Sequence, residues 1–410
     1  MKIKIITLGV LALFIGIILS PVTNSYIDNN KNIYSVENDN ELLESIFDRY
    51  LTFLMKLAHK PSISVCIIKN DSVVWSKGYG LYDIENNKPA TPETLYLLAS
   101  ISKTVAATAI MQLYEQELFD LDDDVNDYLP FNLRNPNYPD TSITFRMLLS
   151  HRSSIASDDS NRLCSSYIPG DPDIPTYPYP WLKEYLTPDG IAYHSSVWSE
   201  NSPGEKFYYT NVGFSIIGYL VEILSGQNFN EYCIEHIFIP LEMYNASYRL
   251  KDLNISKIAI PYTYKKGNLI PNPHYGMLFI HPGASIRASV EELSHFLIAH
   301  MNGGIYKDVR ILNESTVEMM HTAHYPLNRK GFGYGLGWII NDPIIGKKEI
   351  SHSGGWPGVH TLITFRPDED TATIILTNSY ESTQLSRSVA RFVISLIKNA
   401  LFRQANRIAS

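Results

Sequence analysis

Ser100-Ile101-Ser102-Lys103 stands at the start of a helical pattern that runs from residue 99 to residue 118. A serine hydroxyl is a weak nucleophile until a neighbouring base takes its proton. Residues three apart on a helix lie on one face, so Lys103 comes within reach of Ser100. A lysine that is partly removed from water is pushed toward its neutral form, which can act as that base. The stretch therefore suggests a nucleophile and its base.

The same spacing occurs a second time, at Ser395-Leu396-Ile397-Lys398 within the C-terminal helical pattern. A Ser-x-x-Lys pair taken alone is typical of an ordinary helix surface, where polar side chains face water. Other motifs must accompany the pair before it indicates catalysis.

Tyr209-Thr210-Asn211 is the second motif, and it directly precedes a helical pattern. A tyrosine held near a lysine can relay a proton, and an asparagine two residues on can hydrogen-bond a substrate amide. The alternative is structural, with Tyr209 packed in a turn and Asn211 capping the following helix. The motif alone leaves both interpretations open.

His352-Ser353-Gly354-Gly355 is the third motif, at the end of a short strand pattern. Small residues allow a substrate to lie along a strand edge, where a backbone N–H group can stabilise an oxyanion. His281-Pro282-Gly283 also fits the bare His-x-Gly pattern. The later copy is favoured because a β-rich run leads into it and others follow.

The order Ser-x-x-Lys, Tyr-x-Asn, His-x-Gly resembles that of the serine β-lactamase and penicillin-binding protein superfamily, in its class C-like branch. That branch includes class C β-lactamases, D-alanyl-D-alanine carboxypeptidases, D-aminopeptidases and esterases. The resemblance covers roughly residues 45–400, and the supporting segments are Leu148-Leu149-Ser150-His151, Pro203-Gly204-Glu205, Pro240-Leu241-Glu242-Met243, residues 282–293 and Gly333-Tyr334-Gly335-Leu336-Gly337-Trp338. Ser154 and Glu242 depart from the family pattern, because a glycine is usual at both positions.

The resemblance implies a role for each motif. Ser100 would attack a carbonyl, and Lys103 with Tyr209 would manage its proton. Asn211 would orient the acylating group, and the N–H groups of Ser100 and Gly355 would form the oxyanion hole. The implied reaction is hydrolysis of a β-lactam, a D-amino-acid peptide or a simple ester through an acyl-enzyme on Ser100.

His352 occupies the place where many β-lactamases have a lysine, and Ser353 and Gly354 complete the substrate-binding strand. Histidine at this place resembles peptidases and esterases. A neutral histidine binds a substrate carboxylate less well than a permanent charge does, so strong β-lactamase activity is not expected. The alternatives are a non-catalytic sensor of the same fold and a penicillin-binding protein that deacylates slowly.

Strand patterns stand at both ends of the chain. Residues 62–68 and 72–78 predict a hairpin across Asn70-Asp71, and later strand patterns cover residues 349–352, 360–365 and 371–377. Helical patterns cover residues 41–58, 99–118, 212–224, 229–237, 290–301 and 384–402. We expect an α/β (α+β) fold whose antiparallel sheet combines N- and C-terminal segments and is flanked by helices. A mostly helical insertion would cover roughly residues 119–300, as in β-lactamase/transpeptidase-like proteins.

The segment 164–205 is rich in proline, tyrosine and tryptophan and predicts a long loop. Such a loop either lines a pocket or packs its aromatic side chains without contacting a ligand.

The composition limits the class of partner. The 410 residues are 45% hydrophobic, which permits a large core and excludes global disorder. The net charge of −8, with acidic and basic residues interspersed, argues against a nucleic-acid partner. No cluster with metal-ligand spacing and no glycine-rich phosphate loop is present in the sequence. We therefore expect a small-molecule or peptide substrate, no metal and no cofactor; the sequence does not set the oligomeric state.

The N-terminus has the parts of an export signal. Lys2 and Lys4 precede an apolar run from residue 5 to 19. Residues 1–25 are interpreted as a cleaved signal peptide or a retained membrane anchor, residues 26–40 as a polar tether and residues 41–403 as the hydrolase domain. Either alternative places the domain outside the cytoplasm, secreted or attached to the outer face of the membrane.

Overall fold

The computed structural model describes residues 36–156, 167–169, 179–277, 279–381 and 383–408. Over these ranges the helices are α1 Val36–Leu57, α2 Ser102–Glu115, α3 Phe145–Leu149, α4 Tyr179–Leu186, α5 Asn211–Ser225, α6 Phe229–Cys233, α7 His281–Ala284, α8 Val290–Met301, α9 Glu314–Met320 and α10 Gln384–Ile408. A turn of 3-10 helix, Ala99–Ile101, leads directly into α2. One compact unit, Tyr50–Ser410, holds all of these elements except the first part of α1.

The strands form one large sheet and several small ones. They are β1 Ser62–Lys69, β2 Ser72–Asp83, β3 Lys88–Pro89, β4 Tyr96–Leu97, β5 Tyr167–Pro169, β6 Tyr262–Lys265, β7 Asn268–Pro271, β8 Tyr275–Met277, β9 Arg287–Ala288, β10 Ile305–Tyr306, β11 Val309–Arg310, β12 Phe332–Tyr334, β13 Ile339–Asn341, β14 Glu349–Trp356, β15 Val359–Arg366, β16 Thr371–Thr377 and β17 Ser379–Glu381. The large sheet has the order β12-β13-β14-β15-β16-β1-β2-β3, and all of its pairs are antiparallel.

The centre of the sheet joins the two ends of the domain. Strand β1 pairs with β16, from Ile63 opposite Thr377 to Lys69 opposite Thr371. Strand β1 also pairs with β2 across the turn at Asn70-Asp71, where both residues have positive φ angles (49° and 59°). Asparagine and aspartate tolerate this conformation, which two-residue hairpin turns require. The predicted hairpin and the antiparallel sheet built from both ends are confirmed.

Helices cover the centre of the sheet. Helices α8 and α10 both contact β1 and β16, and nearly every side chain of these two strands is buried. Successive side chains of a strand point to opposite faces, so such continuous burial requires cover on both sides. Each buried isoleucine contributes about 1.5–3 kcal/mol, which makes the sheet a rigid support for β14 and β15.

Helix α1 begins at Val36, five residues before the predicted start at residue 41. Residues 36–40 are therefore helical, which corrects the predicted end of the tether. They contain no proline or glycine, and acidic residues near a helix N-terminus are favourable. The predicted leader or anchor and residues 26–35 lie outside the described residues. Within the described part of the chain, no helix combines the length and apolarity needed to cross a bilayer.

The predicted insertion, residues 119–300, contains more strand than expected. It holds strands β5 to β9 as well as helices α3 to α7. Short runs rich in tyrosine, threonine and isoleucine pair locally, as β6 and β7 do, because such residues favour extended backbone. The middle region is therefore a mixture of short helices, small sheets and loops.

The aromatic segment is helical in part, because α4 lies within it. Tyr185 and Trp198 are buried, and the Trp181 ring stacks on Phe279 with 4.3 Å between centroids. In the described part, these aromatic side chains pack into or against the core; a role of the loop in lining a pocket stays a prediction. Residues 157–166 and 170–178 lie outside the described ranges.

The two departures from the family pattern share one backbone feature. Ser154 has a φ angle of 62° and Glu242 a φ angle of 57°. Both angles lie in the left-handed region, which glycine adopts without strain and other residues adopt at a cost. The backbone thus retains a conformation suited to glycine at both places. At Ser154 the hydroxyl also accepts a hydrogen bond from Asn135 Nδ2 at 3.1 Å.

Candidate active site

Ser100 lies on the 3-10 turn before α2, and the backbone preceding it is held firmly. Ala99 is buried with a φ angle of 50°, a conformation that costs a non-glycine residue about 1–2 kcal/mol. Leu98 N–H donates to the carbonyl of Ile286 at 2.8 Å, and its own carbonyl accepts from the Thr361 hydroxyl at 2.8 Å. These bonds hold the strained turn, and with it the position of the serine.

Lys103 is buried, and the contacts of its side-chain nitrogen include three oxygen atoms. Nζ lies 3.2 Å from Ser100 Oγ, 2.5 Å from Asn211 Oδ1 and 2.9 Å from the carbonyl of Gly283. The partners belong to the 3-10 turn, α5 and α7, so distant parts of the chain converge here. Hydrogen bonds of this kind offset part of the cost of removing a lysine from water.

Two of these partners can only accept hydrogen bonds. Asn211 Oδ1 and Gly283 O each take one hydrogen of Lys103 Nζ, in either of its protonation states. In the neutral amine, the lone pair of Nζ can accept the hydroxyl proton of Ser100, whose Oγ lies 3.2 Å away. The arrangement thus provides the base that the serine requires.

Asn211 is the first residue of α5, and its side chain turns to Lys103. Thr210 occupies the N-cap position and forms no capping bond through its side chain. The Asn211 amide accepts from Lys103 at 2.5 Å. The second interpretation of this motif, in which Asn211 serves as a cap, is therefore not what the structure shows.

Tyr209 stands at the opening of the site and is 41% exposed. Its ring centroid lies 5.0 Å from Lys103 Nζ and 6.5 Å from the His352 ring. A partly exposed phenol next to a lysine is suitably placed to exchange protons with a leaving group or with water. The structure thus brings Tyr209 to the pair formed by Ser100 and Lys103.

His151 is a neighbour of the site that sequence reasoning did not assign. Its Nδ1 accepts a hydrogen bond from the backbone N–H of Thr210 at 3.2 Å, and its ring centroid lies 4.3 Å from that of Tyr209. Burial, assisted by the nearby charge of Lys103, holds the pKa of His151 well below its ordinary value. The neutral ring supports the backbone between Tyr209 and Asn211.

Strand β14 brings an open edge to the serine. Only Glu349–Ser351 of strand β14 pair with β13, so within the described chain the second half of β14 pairs with β15 alone. A Cβ atom on Gly354 would lie 2.1 Å from the carbonyl oxygen of Leu98, so only glycine permits this approach. Ser353 and Gly355 are exposed. The edge is therefore accessible to an extended substrate.

His352 is buried and is held through both ring nitrogens. Nδ1 lies 2.9 Å from the carbonyl of Ser353, which can only accept, so Nδ1 carries the proton. Nε2 lies 2.7 Å from the hydroxyl of Tyr334, which donates to it in the neutral ring. Burial, assisted by the charge of Lys103, lowers the pKa of His352 to about 3. His352 therefore contributes no positive charge near neutral pH.

The alternative copies of the motifs lie in different surroundings. Ser395 is exposed on α10, and Lys398 pairs with Glu349. His281 lies in the short helix α7 and is buried, although Gly283 of the same segment contacts Lys103. Within the described residues, no group of three or more His, Cys, Asp or Glu side chains could hold a metal ion.

Gly283 and Tyr334 are site residues that the motifs missed. Both lie in segments that support the resemblance, but neither was expected to contact Lys103 or His352. A carbonyl acceptor carries no signal in the sequence, because every residue has one. Tyr334 could have been suggested by its place between two glycines, which lets a bulky ring enter a crowded region.

The chain is similar to known proteins along most of its length. A family model described as Beta-lactamase matches residues 47–396. Protein flp of Staphylococcus aureus (strain N315) is 25% identical over 334 residues, which are 81% of this chain and 62% of that protein. This chain thus spans less than two thirds of the length of Protein flp.

Two solved structures are similar in fold. The octameric penicillin-binding protein homologue from Pyrococcus abyssi has a TM-score of 0.69 and 26% identity, over 86% of this chain and 77% of that chain. The D-amino acid amidase from Ochrobactrum anthropi SV3 has a TM-score of 0.68 and 16% identity, over 89% and 99% of the two chains. The second likeness concerns the fold alone. Because the family model spans residues 47–396 and includes every motif of the Ser100 site, this chain belongs to the Beta-lactamase family of serine hydrolases.

Proposed function

We propose that this protein hydrolyses an amide or ester bond through an acyl-enzyme on Ser100. One observation carries the proposal: the buried side chain of Lys103 lies 3.2 Å from Ser100 Oγ while Asn211 and Gly283 accept from the same nitrogen. A serine becomes a nucleophile when a base of this kind is within hydrogen-bond reach.

In the proposed acylation, Ser100 Oγ bonds to the substrate carbonyl carbon while its proton passes to neutral Lys103. The carbonyl oxygen becomes an oxyanion, which the N–H groups of Ser100 and Gly355 stabilise. The C–N or C–O bond then breaks, and the leaving amine or alcohol takes the proton of Lys103 with the help of Tyr209. In deacylation, water gives a proton to Lys103, attacks the ester carbon and releases the acid, and Ser100 regains its hydrogen.

Within this class we propose a peptide amide formed by a D-amino acid, or an ester, as the preferred substrate. The pKa of His352 lies at about 3 and its Nε2 is occupied by Tyr334, so the ring is neutral at pH 7. A neutral ring cannot provide the charge-assisted bond that a permanent cation gives to a β-lactam carboxylate. The likeness in fold to a D-amino acid amidase agrees with this choice.

We also propose that the reaction takes place outside the cytoplasm. The support is the pattern of Lys2, Lys4 and the apolar run at residues 5–19. Removal of this segment and its retention as an anchor both remain compatible with the proposal.

The test uses the full chain in mild detergent, as wild type, Ser100→Ala and Ser395→Ala. Each protein is incubated with nitrophenyl esters, D-amino-acid anilides, a chromogenic cephalosporin and a fluorescent penicillin. We expect wild type and Ser395→Ala to turn over an ester or anilide at least 100-fold faster than the cephalosporin, and Ser100→Ala to be inactive. Intact mass should show an adduct only where Ser100 is present.

The outcomes separate the alternatives. A long-lived adduct without turnover would identify a penicillin-binding protein that deacylates slowly. Equal turnover by Ser100→Ala and wild type would overturn the role of Ser100, and neither adduct nor turnover from folded wild type would support the non-catalytic sensor.

A further inference from the structure

Two exposed segments meet at one end of the edge of the large sheet. Residues 326–332 lead into β12 and include its first residue, and residues 342–348 connect β13 to β14. The backbone N–H of Asp342 donates to the carbonyl of Gly331 at 2.8 Å, which joins them. We call the two segments together the basic–apolar tip.

The tip exposes large apolar side chains. Ile344 is 97% exposed and Ile345 is 91% exposed, side by side in the loop. Leu327 and Phe332 of the first segment are also exposed. Single exposed apolar residues are common on protein surfaces. Two adjacent and almost fully exposed isoleucines at a loop end form an apolar surface whose burial away from water would be favourable.

The same tip carries an excess of positive charge. Its basic residues are Arg329, Lys330, Lys347 and Lys348, and its one acidic residue is Asp342. Lys347 pairs with Glu369 of the neighbouring turn at 3.3 Å, whereas the other three basic residues form no ion pair within the described part of the chain. The full chain has a net charge of −8, so this local excess of cations differs from the charge of the whole molecule.

We propose that the basic–apolar tip docks on an anionic lipid bilayer, with Ile344 and Ile345 in the interfacial region and the basic side chains at the lipid phosphates. Apolar residues that enter the interface beside basic residues that attract anionic headgroups are the two parts of reversible membrane binding. A second protein is a poorer fit, because a stable protein interface needs about 800 Å² per partner with a broad apolar centre. Two isoleucines on a narrow loop provide much less.

The proposal does not depend on the reaction at Ser100. If the tip docks on a bilayer, however, it sets the distance between the membrane surface and the active site. Strand β14 runs from the tip toward the site, and Gly355 lies seven positions after Lys348. At about 3.3 Å per residue, the oxyanion position lies about 23 Å along the strand from the tip. A docked tip would therefore hold the site within reach of substrates near the membrane surface.

The experiment uses the full chain, so that the N-terminal segment contributes equally to every variant. Ile345→Trp is compared with Ile191→Trp, because Ile191 is 95% exposed in a separate loop and provides a matched control. Each protein is mixed with vesicles of phosphatidylcholine and phosphatidylglycerol (7:3) whose acyl chains are brominated. Bromine quenches tryptophan fluorescence only at short range, so it reports insertion.

We expect brominated lipid to quench the fluorescence added by Ile345→Trp at least threefold more than that added by Ile191→Trp. Neutral vesicles or high salt should reduce the difference, because both weaken the electrostatic attraction. Combining Ile345→Trp with Arg329→Gln, Lys330→Gln and Lys348→Gln should weaken binding to anionic vesicles by about fivefold per charge removed.

Equal quenching at positions 345 and 191, or quenching at neither, would overturn the proposal. So would quenching at position 345 that neither lipid charge nor the glutamine variants change. Ile191, Arg329, Lys330 and Ile345 are exposed and Lys348 is half-buried, so circular dichroism and thermal unfolding should match those of the wild type and show that the fold is intact.

Discussion

The chain contains the pattern Ser-x-x-Lys twice, and the two copies lie in different surroundings. In the first copy, Lys103 is buried and its nitrogen contacts Ser100 Oγ, Asn211 Oδ1 and Gly283 O. In the second copy, Ser395 is exposed and Lys398 forms an ion pair with a glutamate. Helical spacing sets the reach between serine and lysine in both copies. The comparison teaches that the chemistry depends on the elements packed around the pair.

The largest expected effect comes from replacing the lysine of each copy in turn. Lys103→Ala should lower the rate of Ser100 acylation by about 10²–10⁴-fold, because the general base is removed. Lys398→Ala should leave that rate unchanged and cost about 1 kcal/mol of stability, because it removes one ion pair with Glu349. Stopped-flow acylation by a nitrophenyl ester and urea unfolding would measure the two effects. Similar rate losses in both variants would refute the distinction.

The second prediction concerns a variant that displaces the strand next to the first Ser-x-x-Lys copy but leaves Ser100 and Lys103 themselves unchanged. Gly354→Ala would place a Cβ atom 2.1 Å from the carbonyl oxygen of Leu98, so β14 must move away from the serine. A displacement near 1 Å should lower kcat/KM by about 100-fold. Gly355→Ala is the comparison: it adds a methyl group beside the oxyanion N–H, but its Cβ would touch only the Tyr380 ring at 3.5 Å, so β14 should stay in place and the loss of kcat/KM should be smaller. Steady-state kinetics of both variants would show whether the approach of the strand matters.

The third prediction concerns the loss of stability at low pH. A buried histidine, His300, packs on α2, the helix that carries Lys103. His300 contacts the Thr108 hydroxyl on that helix, and burial lowers its pKa to about 3. The unfolded chain binds this proton near pH 6.5 and the folded chain does not. The free energy of unfolding therefore falls as the pH drops from 6.5 toward 3, by up to about 1.4 kcal/mol per pH unit for this residue.

Urea unfolding at several pH values between 7.5 and 5 would measure this slope. His300→Gln should reduce the slope, whereas a glutamine at the exposed His194 should leave it close to that of the wild type. An unchanged slope in His300→Gln would show that His300 is not a source of the acid sensitivity.

The smallest effect is at Glu242, where the backbone conformation suits glycine. Glu242→Gly and Glu242→Ala both remove the exposed ion pair with Lys307, but only glycine relieves the left-handed backbone. The glycine variant should be more stable than the alanine variant by about 1 kcal/mol. Urea unfolding of the two variants measures the difference, and equal stabilities would contradict the strain.

Features encoded by nearby residues were predictable from the sequence. The hairpin at Asn70-Asp71 depends on two residues that tolerate positive φ angles, and the structure confirms it. Helix α8 and strand β16 have the predicted limits, because their apolar patterns begin and end clearly. The order of the three motifs was sufficient to indicate the family to which the chain belongs.

Features that depend on contacts between distant residues were not predictable. The carbonyl of Gly283 reaches Lys103 across 180 residues, and no side chain marks a backbone acceptor. The same segment also fits the bare His-x-Gly pattern, but it forms a helix, because Pro282 suits the first turn of a helix. The neutral state of His352 depends on its burial in the folded sheet, where Tyr334 contacts its Nε2.

The pairing of β1 with β16 also determines how early the large sheet can fold. Lys69 pairs with Thr371, about 300 residues later in the chain. A sheet whose central pair is so distant in sequence closes slowly, because the loop entropy must be lost before the contacts form. During synthesis, β1 cannot pair with β16 until nearly the whole chain has been made. In a nascent chain with this topology, the active site therefore cannot form until β14, β15 and β16 have been synthesised.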